Sequence, residues 1–311
     1  MKVVTLLPSA TEIVCALGFE EHLVGVSHSC NFPESIRGVP VMTSTHVPYE
    51  KDSVTIDNYV REHLTGHEAL YDLDIDGLRT AAPDVVVSQA LCDVCAVSTG
   101  DVIQAIGSLP SNPALVDLNP NTLDDVLEDI LRVGRQLNAD TAAKDLVSDL
   151  RMRRDVVAKR SATVSRADRP RVAFLEWLLP PFNGGHWNPE LVELAGGIDV
   201  LGASGRASST LDWGTIVEQE PDVLFIACCG FRTERALEDV REVSSTDAWR
   251  QLPAVQSGRV YIADGNAYFS CPGPRLIDGL EIMAHALHPD VHPPLHGLAQ
   301  IVSQGGHSRI F

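Results

Sequence analysis

The chain is 311 residues long, 44% apolar and 21% charged, with a formal net charge of −18. That length holds two domains of ordinary size, each with its own core, and no apolar run approaches the roughly 18–20 residues that cross a bilayer. The acidic balance excludes nucleic acid as a general partner, and membrane insertion is not expected.

Residues 2–7 are apolar and β-branched, as in a buried parallel strand. Ser9 and Glu12 follow at capping-box spacing, so a helix is expected through Ile13, Val14, Ala16 and Leu17 to a stop at Gly18. Pro8, Thr11 and Glu12 interrupt what would otherwise read as a signal peptide, and no small-residue cleavage site follows. The chain as written is therefore expected in the cytoplasm, and in the periplasm or outside the cell if its start is mis-assigned. Its seven cysteines are an odd number, and without export reduced thiols or metal ligands fit better than a disulfide framework.

Strand 23–27 leads to a loop at 28–33, and 39–42 is a further short apolar piece. Residues 43–70 read as a loop plus a helix around 55–64. A short helix at 74–82, strand 84–88 and strand 114–118 come next. From Thr122 a helix places Val126, Leu127, Ile130, Leu131, Val133 and Leu137 on its inner side. Residues 139–166 lack Pro and Gly, and Ala143, Leu146, Val147, Leu150 and Val157 form one narrow apolar stripe. A helix of that length runs about 40 Å, which suits a strut between two bodies.

Beyond it the pattern restarts with strand 170–177, an aromatic loop at 180–187 and a helix from Asn188 or Pro189 to Gly196-Gly197. Strand 223–227, strand 260–263, helix 275–287 and a loosely packed tail with Pro289, Pro293 and Pro294 complete the chain. A helix end, a Pro-Asp turn and a buried strand occur at Pro83-Asp84 and again at Pro221-Asp222. The expected fold class is α/β: two Rossmann-like lobes with parallel sheets, 1–138 and 167–311, joined by one long backbone helix, 139–166.

In open parallel sheets ligands lie beyond the carboxyl ends of the strands. In the first lobe those ends carry Ser9, His28, Cys30, His46 and Gln89 with Cys92 and Cys95. In the second they carry Trp177, Phe182, His186, Trp187, Cys228, Cys229, Tyr268 and Arg275. An aromatic wall with scattered polar groups suits a large flat ligand in a cleft between the lobes. Trp177 is expected on that wall, with Glu176 turned to the opposite side; the other reading of Trp177 is a core residue. Cys92-Asp93-Val94-Cys95 has three open readings: a redox pair, half of a zinc site completed by His28 and Cys30, or plain cleft lining. There is no G-x-S-x-G, Walker A, H-E-x-x-H or G-x-G-x-x-G motif, so no enzyme activity and no required cofactor are expected.

Leu6-Leu7-Pro8-Ser9-Ala10-Thr11-Glu12, Leu23-Val24-Gly25-Val26, the two Pro-Asp strands, Phe174-Leu175-Glu176-Trp177, Pro180-Pro181-Phe182 and Pro274-Arg275 together carry a resemblance over residues 2–287. The chain resembles the helical-backbone substrate-binding proteins of ABC importers for vitamin B12, haem and iron–siderophore chelates. Cys92 to Ser98 is similar to a signal-less cobalamin-binding branch. The resemblance implies non-enzymatic binding of a corrinoid, with an ABC permease as partner. Family members dock through one carboxylate on each lobe; Asp76 matches one, whereas the other place holds Gly214, with Asp212 nearby. Within the same fold a siderophore or haem is the alternative ligand. From another class, a cytosolic metal or redox protein would use His28, Cys30, Cys92 and Cys95.

Overall fold

The computed structural model describes residues 1–66, 69–89, 99–294, 300–303 and 307–310. The chain divides into two compact units, Met1–Pro120 with Asp124–Asp149, and Asn121–Leu123 with Leu150–Phe311.

In the first unit β1 (Val3–Thr5), β2 (Leu23–Gly25), β3 (Thr43–Thr45), β4 (Tyr71–Leu73), β5 (Val85–Gln89) and β6 (Ala114–Leu118) follow in chain order. β2-β1-β5-β6 form one sheet, parallel throughout, with Val3, Val4 and Thr5 opposite Val85, Val86 and Val87. These central strands are buried on both faces, which explains their unbroken β-branched runs. β3 and β4 make a separate antiparallel pair. The sequence pattern does not reveal it, because Thr-Ser-Thr carries no apolar residue and each strand is only three residues long.

The first helix, Pro8–Ala16, corrects the capping-box expectation. It begins at Pro8 rather than after Ser9, and Leu7 is its cap residue with no side-chain bond. Proline's fixed φ and missing N–H suit the first helical position, which displaces Ser9 into the first turn. Helix Leu123–Gln136 buries Val126, Leu127, Ile130 and Val133, but Leu131 is only half-buried and Asp129 takes an inner position instead.

The long helix runs Asp140–Ser161, and the boundary between the units falls inside it, after Asp149. Ala143, Val147, Leu150 and Val157 are buried as the stripe requires. Gly134 lets this helix pack closely, since a Cβ there would run into that of Ala143. The helix stops short of 166 because Thr163 and Val164 bond back to Arg160 and Ser161, tightening the last turn. A one-turn 3₁₀ helix, Arg166–Asp168, follows and is tied by Ser165 Oγ donating to Asp168 (2.7 Å).

In the second unit β7 (Arg171–Leu178), β8 (Pro181–Asn183), β9 (Ile198–Asp199), β10 (Val223–Ile226), β11 (Val260–Ile262), β12 (Gln300–Ser303) and β13 (His307–Ile310) form a sheet of order β13-β12-β11-β10-β7-β8, with β9 beside the start of β7. β7, β10, β11 and β9 are parallel, while β8, β12 and β13 run antiparallel at the edges. Phe174, Phe225 and Phe269 pack as a triad with ring centroids 5.3–5.7 Å apart. Trp213 and Trp249 meet edge to face at 5.8 Å. The last helix, Leu276–Leu287, is apolar almost all round. Its more polar side binds the long helix, where Arg153 donates to Asp278 (2.5 Å) and Glu281 (2.6 Å). The described start of the tail, 288–294, is not loose as expected: His292 is buried and bonded.

The repeated Pro-Asp pattern has a physical cause visible in both units. Helices Ile75–Ala81 and Trp213–Glu218 start at Asp74 and Asp212, whose carboxylates accept the N–H of Gly77 and Thr215 (2.8 Å each). They end at Ala82 and Glu220 in the left-handed region, φ 48° and 43°. Asp84 then accepts the backbone N–H of Lys2 (2.7 Å), and Asp222 that of Arg171 (2.8 Å). Lys2 Nζ and the Arg171 guanidinium in turn cap the helix carbonyls of Ala81 and Gln219 (3.0 and 2.7 Å). Each Asp thus sets the register of its strand against the first strand of its own sheet.

Candidate ligand-binding site

In the second unit the carboxyl end of β7, the turn after β10 and the helix Thr233–Val243 that follows bring three side chains together, the two rings tilted at 40°. Trp177 is half-buried, and its indole lies 4.7 Å from the ring of Phe231 while Nε1–H donates to Leu179 O (3.1 Å). The Arg235 guanidinium sits 4.4 Å over the same Phe231 ring and is held by Asp239 (2.8 Å). The turn after β10 places Phe231: Cys229 N–H donates to Glu176 O (2.8 Å), and Gly230 adopts φ 71°, where glycine is free of strain. Cys228 is buried beneath this turn and Cys229 is exposed.

Glu176 takes other neighbours. Its carboxylate accepts from Gly185 N–H (3.1 Å) and Asn188 Nδ2 (3.3 Å), and burial pushes its pKa up. It therefore fastens the 183–188 loop while Trp177 keeps the company of Phe231. Phe182, in β8 just before that loop, is half-buried and bridges to Thr210, and His186, within it, is half-buried with φ 52°. Burial lowers the His186 pKa, so the imidazole is neutral at neutral pH. Trp187 departs from the expected wall. It is buried, its Nε1–H donates to Phe269 O (2.8 Å), and it packs inside the unit. Arg275, at the cap of the last helix, is half-buried with its guanidinium 5.5 Å from the centre of Tyr268, which is itself buried. Phe231 and Arg235 were missed as site residues, although Phe231 lies in the turn after a strand end, the signal used for the others.

In the first unit the expected residues lie among separate partners. Ser9 is buried and its Oγ has no hydrogen-bond partner among the described residues. His28 is half-buried, bonded through Nδ1 to Thr43 Oγ1 (2.7 Å) and stacked on Tyr71 at 5.6 Å; burial lowers its pKa. Cys30 instead meets Thr11 Oγ1 (3.0 Å), and burial pushes its thiol up to about 11. Gln89 is buried at the end of β5. His46 is exposed and paired with Asp72 (2.8 Å). Cys92 and Cys95 lie outside the described residues. Among the described residues no three His, Cys, Asp or Glu side chains gather closely enough to hold a metal ion. Asp76 is exposed and pairs with Arg79 one turn on. Asp212 is occupied as a cap, both carboxylate oxygens bonding Thr215 (2.8 Å each).

Among the described residues no helix is long and apolar enough to cross a membrane. The chain is 22% identical over 294 residues, 93% of its length and 80% of the relative's, to an uncharacterized ABC transporter substrate-binding lipoprotein of Bacillus subtilis. It is 20% identical over 288 residues to the vitamin B12-binding protein of Vibrio cholerae, covering 90% of this chain and 86% of that one. Its fold is similar to that of a periplasmic heme binding protein from Pseudomonas aeruginosa, with a TM-score of 0.72 and 18% identity over 96% of both chains. The periplasmic binding protein family profile matches residues 3–267, spanning both units. On that match, the chain belongs to the periplasmic binding protein family.

Proposed function

We propose that this protein binds a corrinoid of the cobalamin type and presents it to an ABC permease, without catalysing a reaction on it. The observation that carries this reading is the Trp177–Phe231–Arg235 cluster at the carboxyl end of β7 and just beyond that of β10. A half-buried indole backed by a second ring and a cation offers a flat, pre-ordered apolar surface, and burying a macrocycle face against it supplies affinity. Arg275 adds a donor for an amide or phosphate of such a ligand. The similarity to the Vibrio cholerae vitamin B12-binding protein supports the same reading.

Haem is the second reading. His186 is neutral and half-buried, so its imidazole has the protonation state that iron requires, and a heme-binding protein shares the fold. Titration with cyanocobalamin and, separately, with hemin, followed by absorbance, separates the two. Saturable 1:1 binding of the corrinoid is expected, weakened by roughly 2 kcal/mol or more in Trp177→Ala. Saturation by hemin alone, abolished in His186→Ala, would replace the corrinoid reading with the haem one. Binding of neither would reject both.

A further inference from the structure

The segment that follows the last helix is fastened by histidines. His292 is 3% exposed, its Nε2 bonded to Ser161 Oγ (3.1 Å) at the end of the long helix. Its backbone carbonyl accepts from His285 Nδ1–H (2.7 Å) within the last helix. His288 Nε2–H donates to Gly196 O (3.0 Å), beyond helix Asn188–Leu194. Only glycine lets the imidazole approach there, since a Cβ on Gly196 would stand 3.0 Å from His288 Nε2 and φ is 90°. The amides of Val291 and His292 close the turn on His288 O (3.0 Å each).

We propose that residues 288–294 form an acid-released latch, in which a buried neutral His292 pins the C-terminal segment to the long helix and protonation of that imidazole frees it. The electrostatic surroundings all oppose a charge on the ring. Arg160 approaches from the long helix, His285 from the last helix and His288 from the latch segment itself. Arg259 lies on the Leu287 carbonyl (3.2 Å). Asp290, two residues along the chain, and Glu193, on helix Asn188–Leu194, are exposed to solvent. Burial first, then these cations, push the His292 pKa down to about 4. The latched state therefore holds fewer protons than the released one. Its stability is complete above the ordinary histidine pKa near 6.5 and is lost progressively as pH falls toward 4.

Hydrogen exchange of the Val291 and His292 amides, corrected for the intrinsic rate, reads the latch directly. Linkage from the ordinary value to the lowered one predicts a roughly 30-fold loss of protection between about pH 7.5 and about pH 5. His292→Gln keeps a neutral nitrogen donor near Ser161 and is expected to retain protection at the higher pH and lose the acid-induced drop. Equal protection at both pH values in the wild type overturns the proposal, as does a drop of unchanged size in the variant. Should the variant be unprotected at both pH values, the His292 imidazole titration by NMR in the wild type decides. A pKa well below the ordinary histidine value supports the latch, and an ordinary one rejects it.

Discussion

Asp129 stands on the inner face of helix Leu123–Gln136, 3% exposed, with Arg132 3.2 Å away and one carboxylate oxygen unpartnered among the described residues. Burial outweighs Arg132 and pushes its pKa up to about 6. The folded chain thus keeps this proton at pH values where the unfolded chain has released it. The contribution of this carboxyl to stability should fall as pH rises from about 4 to about 6 and then level off, by at most ~3 kcal/mol. Urea unfolding across that window should show the wild type losing stability relative to Asp129→Asn as pH rises; a constant difference between the two would mean the carboxylate is better solvated than its surroundings suggest. The two tryptophans after β7 show where residue-level reading stops. Trp177 and Trp187 read alike in sequence, since each stands at or just after the end of the same strand, on either side of Pro180-Pro181. What separates them is a carbonyl far along the chain: Phe269 O satisfies the Trp187 indole inside the unit. No local pattern encodes that partner. The same holds for Cys30, whose neighbour Thr11 comes from another element.

Secondary-structure elements repeat a single device in both units. Ala82 and Glu220 occupy the left-handed position that ends each short helix, where a side chain costs roughly 1–2 kcal/mol relative to glycine. Ala82→Gly and Glu220→Gly should each raise stability by about 0.5–1 kcal/mol after the extra freedom of the unfolded glycine is counted. A lowered melting temperature in either would show that the strain is absorbed elsewhere. Gly134→Ala should do the opposite. Its methyl would meet Ala143 on the long helix, and overpacking of this kind costs roughly 1–3 kcal/mol. The Pro-Asp units, the central parallel strands and the long helix were legible because each is written in consecutive residues: a cap, a breaker, a β-branched run or a helical stripe. β3 with β4, and the antiparallel edges β8, β12 and β13, were not. Their strands are only three or four residues long, too short to show a period, and their pairing partners decide their conformation. The Phe231–Arg235 stack was half-legible, since the strand end was visible but the turn that lifts the ring onto Trp177 was not.

For the whole molecule, the distribution of one chromophore has a practical consequence. The chain has four tryptophans, Trp177, Trp187, Trp213 and Trp249, and all lie in the unit containing Leu150–Phe311. Indole emission is therefore blind to the other unit, whose sheet, helices and half of the long helix contribute to the far-ultraviolet circular dichroism signal. Superposition of the two unfolding curves would mean one cooperative transition, and separation would mean that each unit melts by itself. Two optical probes thus give a selective readout for each substitution above. Glu220→Gly should shift the emission midpoint, whereas Ala82→Gly and Asp129→Asn should move it only to the extent that the two units unfold together.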